Sequence, residues 1–155
     1  MPDDVFEQWI SPKIDYNGWP FCNPDEPMTK PGWAKEFRYK TLEFWSNVSW
    51  EIHTIKFINL NIEEVAKNKA SEIVQNWKIS LKSKNVPKAC ITDSSDRFMA
   101  IAKFVRDNGK LPKPIICLVN RDELYLLDGY HRLSVMFAFS VQDDFPVSVW
   151  IGSQG

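Results

Sequence analysis

The spacing of apolar residues along the chain changes period several times, and each period names an element. From Thr54 to Leu60 the order TIKFINL alternates polar and apolar residues, which predicts a strand. Asn61 can cap a following helix, with Glu63 and Glu64 in its first turn and Ile62, Ala66, Ile73, Trp77 and Leu81 recurring at helical spacing. Ala89 to Thr92 reads as a short second strand, after which Ser94, Ser95 and Asp96 offer caps for a helix running to about Asn108, with Phe98, Ile101, Ala102 and Val105 on its buried face. Asn108-Gly109 ends that helix, and Pro112 and Pro114 prevent its resumption. Ile115 to Val119 is a continuous apolar run of strand length. Asn120 to Glu123 supplies turn residues, and Leu124 to Leu127 returns as the second strand of a hairpin. His131 to Phe139 is helical and apolar nearly all round, which implies burial, and Pro146 to Ile151 forms a last strand.

Composition adds a different kind of segment. Residues 1 to 50 carry six of the ten prolines and five of the seven tryptophans, and show no sustained period before about Ala34. The expectation is an irregular N-terminal wrap over 1–50, packed on a core formed by 51–155, together one globular unit of 155 residues. Trp9, Trp19, Trp33, Trp45 and Trp50 either fasten this wrap to the core or line a ligand surface; fastening is the favoured reading.

Charge and cysteine usage narrow the function classes. Nineteen basic residues face twenty acidic ones, so no general basic field exists to hold a polyanion by counterion release. No apolar run is long enough to span a membrane, and the start MPDDVFEQW lacks an apolar signal core. Cys22, Cys90 and Cys117 are widely spaced with no CxxC pair, which suits a reducing cytoplasm. The expectation is a soluble cytoplasmic protein, for which the Asn47-Val48-Ser49 sequon has no meaning. Lys78, Lys82, Lys84 and Lys88 read as a solvated face near a helix C-terminus, and His53 receives no role.

One turn carries chemistry. In Asp128-Gly129-Tyr130-His131-Arg132 an apolar strand meets an apolar helix, so the first amides of that helix lack intrahelical acceptors and favour an anion. Gly129 lets backbone approach a phosphate, Arg132 can fork onto its oxygens, and His131 adds a donor able to respond near neutral pH. The competing structural reading makes Asp128 a cap, Gly129 a turn, and His131 and Arg132 partners of nearby carboxylates. Against it, two long polar residues opening an apolar helix are hard to justify as packing.

The order helix, Gly109, Pro112, Pro114, strand PIICLV, hairpin and YLLDGYHRL resembles the ParB/sulfiredoxin superfamily over about Ser95 to Phe139, loosely over Thr54 to Leu60, and not over the first fifty residues. The turn is similar to the DGxHR form of ParB-like nuclease and free serine kinase relatives. The resemblance implies an α+β fold, a small mixed sheet flanked by helices. It also implies that Gly129, His131 and Arg132, with Tyr130 beside them, hold the phosphates of ATP or CTP with Mg2+. Two departures limit the transfer. Tyr130 stands where sulfiredoxins place their catalytic cysteine, and a phenol cannot replace a thiolate there. The chain ends at Gly155 without a helix-turn-helix domain, so a centromere-binding clamp is not expected.

The leading expectation is therefore a nucleotide-binding phosphotransferase or nucleoside-triphosphate hydrolase acting on an unidentified small-molecule or protein acceptor. In it His131 stabilises charge in transfer and Asp128 orients magnesium or acts as base. A further carboxylate comes from Asp93 or Asp96, or from Glu63 or Glu64, with Asp93 and Glu64 first; each also fits as a helix cap or first-turn acid. A non-catalytic interaction module of the same fold, an immunity or accessory factor, is the alternative. A nuclease ranks third, since neither a basic stripe nor a His/Asp metal cluster is present in the sequence.

Overall fold

The computed structural model describes residues 1–19, 32–82 and 93–155, the side chains of Asp93 and Ser94 excepted. Short helical turns open the chain: α1 (Asp3–Val5), a π-helical turn over Phe6–Ile10, a 3-10 turn over Ser11–Lys13, α2 (Ile14–Asn17), α3 (Trp33–Glu36) and α4 (Leu42–Ser46). Strand β1 (Val48–Lys56) is followed by the long helices α5 (Glu64–Lys82) and α6 (Asp93–Asn108). Then come β2 (Ile115–Asn120), β3 (Glu123–Asp128), α7 (Tyr130–Ala138) and β4 (Pro146–Gln154). The four strands form one mixed sheet in the order β1-β4-β2-β3, with β4 and β2 parallel and the other two pairs antiparallel. The α+β expectation with a small mixed sheet is met.

The apolar run of β2 is explained by the two layers that cover it. Ile115 and Cys117 face α5 and α7, where Ile62, Ala66, Ala70, Leu133 and Met136 close the main core. Ile116 and Leu118 face the opposite side, where Val5, Trp9, Ile10, Trp33, Phe37 and Trp45 form a second core. A strand apolar at every position is one covered on both faces. Trp9, Trp33 and Trp45 are buried, each in ring contact with Phe37, while Trp50 is half-buried and Trp19 is exposed. Helix α6 closes a third cluster in which Phe98 meets Val74 and Val135.

Five expectations need correction. The first strand lies at Val48–Lys56 instead of Thr54–Leu60 and starts inside the first fifty residues. It pairs with β4 from Val48↔Gln154 to Lys56↔Pro146, after which Phe57 and Ile58 donate to the carbonyls of Phe145 and Asp143 and the chain turns away. Asn61 does not cap α5. Its amide side chain donates to the Asp122 carbonyl at 2.6 Å, holding the β2–β3 turn, and Glu63 takes the position before the helix, its carbonyl accepting from Lys67. Leu81 is 62% exposed, and Val74 replaces it on the buried face. Phe139, counted in the buried helix, follows α7 and is half-exposed. Other details hold. Gly109 takes φ +67° at the end of α6, and the hairpin turns with Arg121 at φ +57°. The strand expected at Ala89–Thr92 lies outside the described residues, as do Cys22, Cys90, Lys84 and Lys88. Among the described residues no helix is long and apolar enough to cross a membrane.

Candidate functional site

The corner between β3 and α7 is built by Gly129. At φ +111° it takes the left-handed conformation that frees the chain to turn from strand to helix, and its carbonyl accepts the first helical bond, from Leu133, at 2.9 Å. The turn packs closely, because a Cβ at this position would meet Ile115 Cγ2 at 2.7 Å and Arg132 Nε at 3.1 Å. The helix that follows is anchored by buried Leu133, Ser134, Val135 and Met136. The N-terminal end of α7 is thereby fixed toward a cavity.

That cavity has a volume of about 480 Å³ and is lined by Lys13, Glu36, Lys69, Ile73, Arg97, Ala100, Ile101 and the whole run from Leu127 to Arg132. Its size lies in the range of small-ligand sites. Four cationic side chains and two carboxylates line it, an excess of two positive charges in a chain whose formal net charge is −1. His131 senses this field. Burial, then Arg97 and Arg132, hold its pKa below the usual value, outweighing Asp128, which acts the other way. Tyr130 is pushed up by burial and stays a phenol; its hydroxyl donates to the Leu126 carbonyl at 3.1 Å, and Lys69 Nζ sits 4.2 Å from its ring centroid.

Arg132 is held more tightly than a free phosphate fork would be. Its Nη2 donates to Asp128 Oδ2 at 2.6 Å, with side-chain exposures of 11% and 26%. Gln8 Nε2 reaches the same oxygen at 3.2 Å and the Pro114 carbonyl at 2.7 Å, so the N-terminal segment braces the turn. Arg132 Nε is buried and has no hydrogen-bond partner among the described residues. The guanidinium is thus paired with an acid, while the corner beside it stays open as the cavity.

The remaining candidates fall apart in space. Glu64 is exposed in the first turn of α5 and takes no part in the cavity wall. Glu63 is buried and receives a two-pronged ion pair from Arg38, which also donates to the Leu126 carbonyl at 2.7 Å. Asp93 opens α6, its side chain outside the described residues, and Asp96 is exposed directly before Arg97. Cys117 is buried, and burial followed by the Glu63 charge pushes its thiol far up, as befits a core residue. Sequence reasoning missed Lys13, Glu36, Lys69 and Arg97. They come from four separate elements of the chain, on polar faces that look solvated one element at a time. Among the described residues no group of three or more His, Cys, Asp or Glu side chains could hold a metal ion.

A hollow of about 810 Å³ lies between α6 and the loop before β4, lined largely by apolar residues such as Val105, Val141 and Phe145. Lys103, Arg106, Ser140 and Gln142 also line it, but no helix N-terminus opens into it as α7 does into the smaller cavity, which is therefore the candidate site.

No protein-family model, no curated protein and no solved structure matches this chain.

Proposed function

We propose that the cavity at the start of α7 binds a phosphate-bearing small molecule, a nucleotide such as ATP or CTP being the leading candidate. The observation that carries this is the excess of positive charge gathered from four parts of a chain with no overall positive charge, around a half-buried helix N-terminus. Lys69, Arg97 and the first turn of α7 would hold the phosphates, with His131 as a further donor and the Arg132–Asp128 pair as the wall behind them. Ile73, Ala100, Ile101 and Leu127 would take the apolar part of the ligand. The likeness of DGYHR to the phosphate turn of the ParB/sulfiredoxin superfamily points the same way.

Turnover has weaker support than binding. Of the carboxylates considered for base or magnesium duty, Asp128 is engaged by Arg132 and Gln8, Glu63 by Arg38, and Glu64 and Asp96 are not in the cavity wall; Glu36, which is, pairs with Lys13. Magnesium accompanying a nucleotide keeps several waters and takes oxygens from the phosphates themselves, so its contribution is read from binding with and without the ion. A nucleotide-binding module is accordingly the better supported form, with phosphotransfer or hydrolysis its extension.

The test is calorimetric titration and thermal shift with ATP, CTP, ADP and inorganic phosphate, with and without magnesium. Arg97→Ala, at an exposed position, is expected to weaken binding at least about tenfold while leaving unfolding within about 0.5 kcal/mol of the parent. If none of the four anions raises the unfolding midpoint, the reading fails. Release of ADP or phosphate then separates enzyme from module.

A further inference from the structure

The two edges of the sheet are treated differently by the rest of the chain. At the β3 edge the polar backbone is occupied: Leu124 N–H donates to the Asn61 carbonyl at 2.8 Å and its carbonyl accepts from Glu63 N–H at 3.1 Å. The Leu126 carbonyl accepts from Arg38 and from the Tyr130 hydroxyl. At the other edge, β1 is bonded along all nine residues to β4 on one side. Among the described residues no backbone group reaches its outer side. Glu51, Ile52, His53 and Thr54 are exposed in succession, so both faces of the strand are bare at its middle. A long exposed edge with no proline inside it, and with its lysine confined to the last position, is a template for another strand.

From this contrast we infer that β1 pairs edge to edge, antiparallel, with β1 of a second copy of this chain, about a two-fold axis at Ile52. The result is one continuous eight-stranded sheet. Ile52 is the midpoint of Val48–Lys56, and an antiparallel pair is symmetric about both its hydrogen-bonded and its non-bonded positions, so the axis is allowed whichever set faces outward. This register sets Ile52 against its own copy, Glu51 opposite the partner's His53, and Trp50 opposite the partner's Thr54. Val48 lies opposite the partner's Lys56. No like charges oppose each other, and the acid–imidazole pairing repeats on both sides of the axis. Within one chain Glu51 and His53 already lie 3.1 Å apart on the same strand face, so the dimer would alternate the two groups across four positions. On the opposite face Ile52, 54% exposed, sits beside half-buried Trp150 of β4, and pairing brings the two copies of this patch together. A foreign strand could use the same edge, but the strand's complementarity to itself favours a second copy.

The experiment is sedimentation equilibrium of the full chain from about 5 to about 200 µM, since the population of a dimer follows mass action. The parent is expected to move from the 18.1 kDa monomer toward twice that mass. Ile52→Lys, which places two ammonium groups at the axis on an exposed position, is expected to stay monomeric with an unchanged circular dichroism spectrum, and with the parent's unfolding midpoint at the lowest concentration, where the parent is also monomeric. Glu51→Lys should weaken association, and adding His53→Glu should restore it. A parent that stays monomeric throughout overturns the inference. So does an Ile52→Lys variant that associates like the parent, which would put any interface, with another copy or a foreign strand, elsewhere.

Discussion

Replacing Gly129 by alanine tests the corner on which the site depends, and its cost can be worked from two independent contributions. The first is conformational, because an L-residue at φ +111° loses about 1–2 kcal/mol relative to glycine. The second is steric. The new methyl would lie 2.7 Å from Ile115 Cγ2 and 3.1 Å from Ile115 Cβ, and Ile115 is fully buried in the main core with α5 and α7 behind it. Arg132 Nε, 3.1 Å away, belongs to a side chain held by Asp128. Neither neighbour can withdraw without disturbing packing, and overpacking of this kind costs about 1–3 kcal/mol. The total is about 2–5 kcal/mol. Gly109→Ala supplies the control, since Gly109 also has a positive φ, +67°, but its Cβ would meet nothing within 4 Å; it should cost only about 1–2 kcal/mol. Urea unfolding followed by tryptophan fluorescence, compared at constant m-value, measures both. Were the two variants to unfold within about 0.5 kcal/mol of each other, the steric argument would be wrong and the turn looser than described.

Other outcomes follow from the same geometry. Arg132→Ala is expected to lower both anion affinity and stability, the latter by about 1–3 kcal/mol, because Asp128 loses a largely buried partner; urea titration and calorimetry separate the two effects, and an unchanged affinity would remove Arg132 from the site. Anion binding should take up protons. His131 is held below its ordinary value of 6.5 in the free protein, and a bound phosphate favours the imidazolium, so affinity should rise as pH falls from 8 to 6, and calorimetry in buffers of different ionisation enthalpy should detect the uptake. The same shift acts on folding with a definite sign. The unfolded chain binds the proton first, so the contribution of His131 to stability is present above pH 6.5 and declines as pH falls from there toward its folded pKa. Arg38→Ala is expected to cost about 3–5 kcal/mol in urea unfolding, since Glu63 is left buried and charged without its partner; a loss below about 1 kcal/mol would mean that the pair is dispensable.

Much of the second half of the chain was legible locally. The Asn-Gly stop after α6, the apolar run of β2, the turn at Arg121 and the strand-to-helix turn at Gly129 are each specified by residues within a few positions of one another. The first strand was misplaced by six residues at its start because its register is set by β4, about a hundred residues later, and alternation alone cannot tell which end of an apolar stretch finds a partner. The half of the site on α7 could be read from DGYHR, whereas Lys69 and Arg97 could not, since each is exposed on its own helix and they meet over one cavity only when α5 and α6 flank α7.

The amino-acid sequence by itself determined the local geometry: where the later helices stop, where the hairpin turns, and that a glycine opens a buried helix. Only the tertiary structure decided that the tryptophan-rich N-terminus packs on the second face of the sheet, that Gln8 and Arg132 converge on Asp128, and that separated cations share one cavity. The reason is physical. Turns and caps depend on the backbone conformations of neighbouring residues, whereas burial and electrostatic fields depend on which distant surfaces come to face each other.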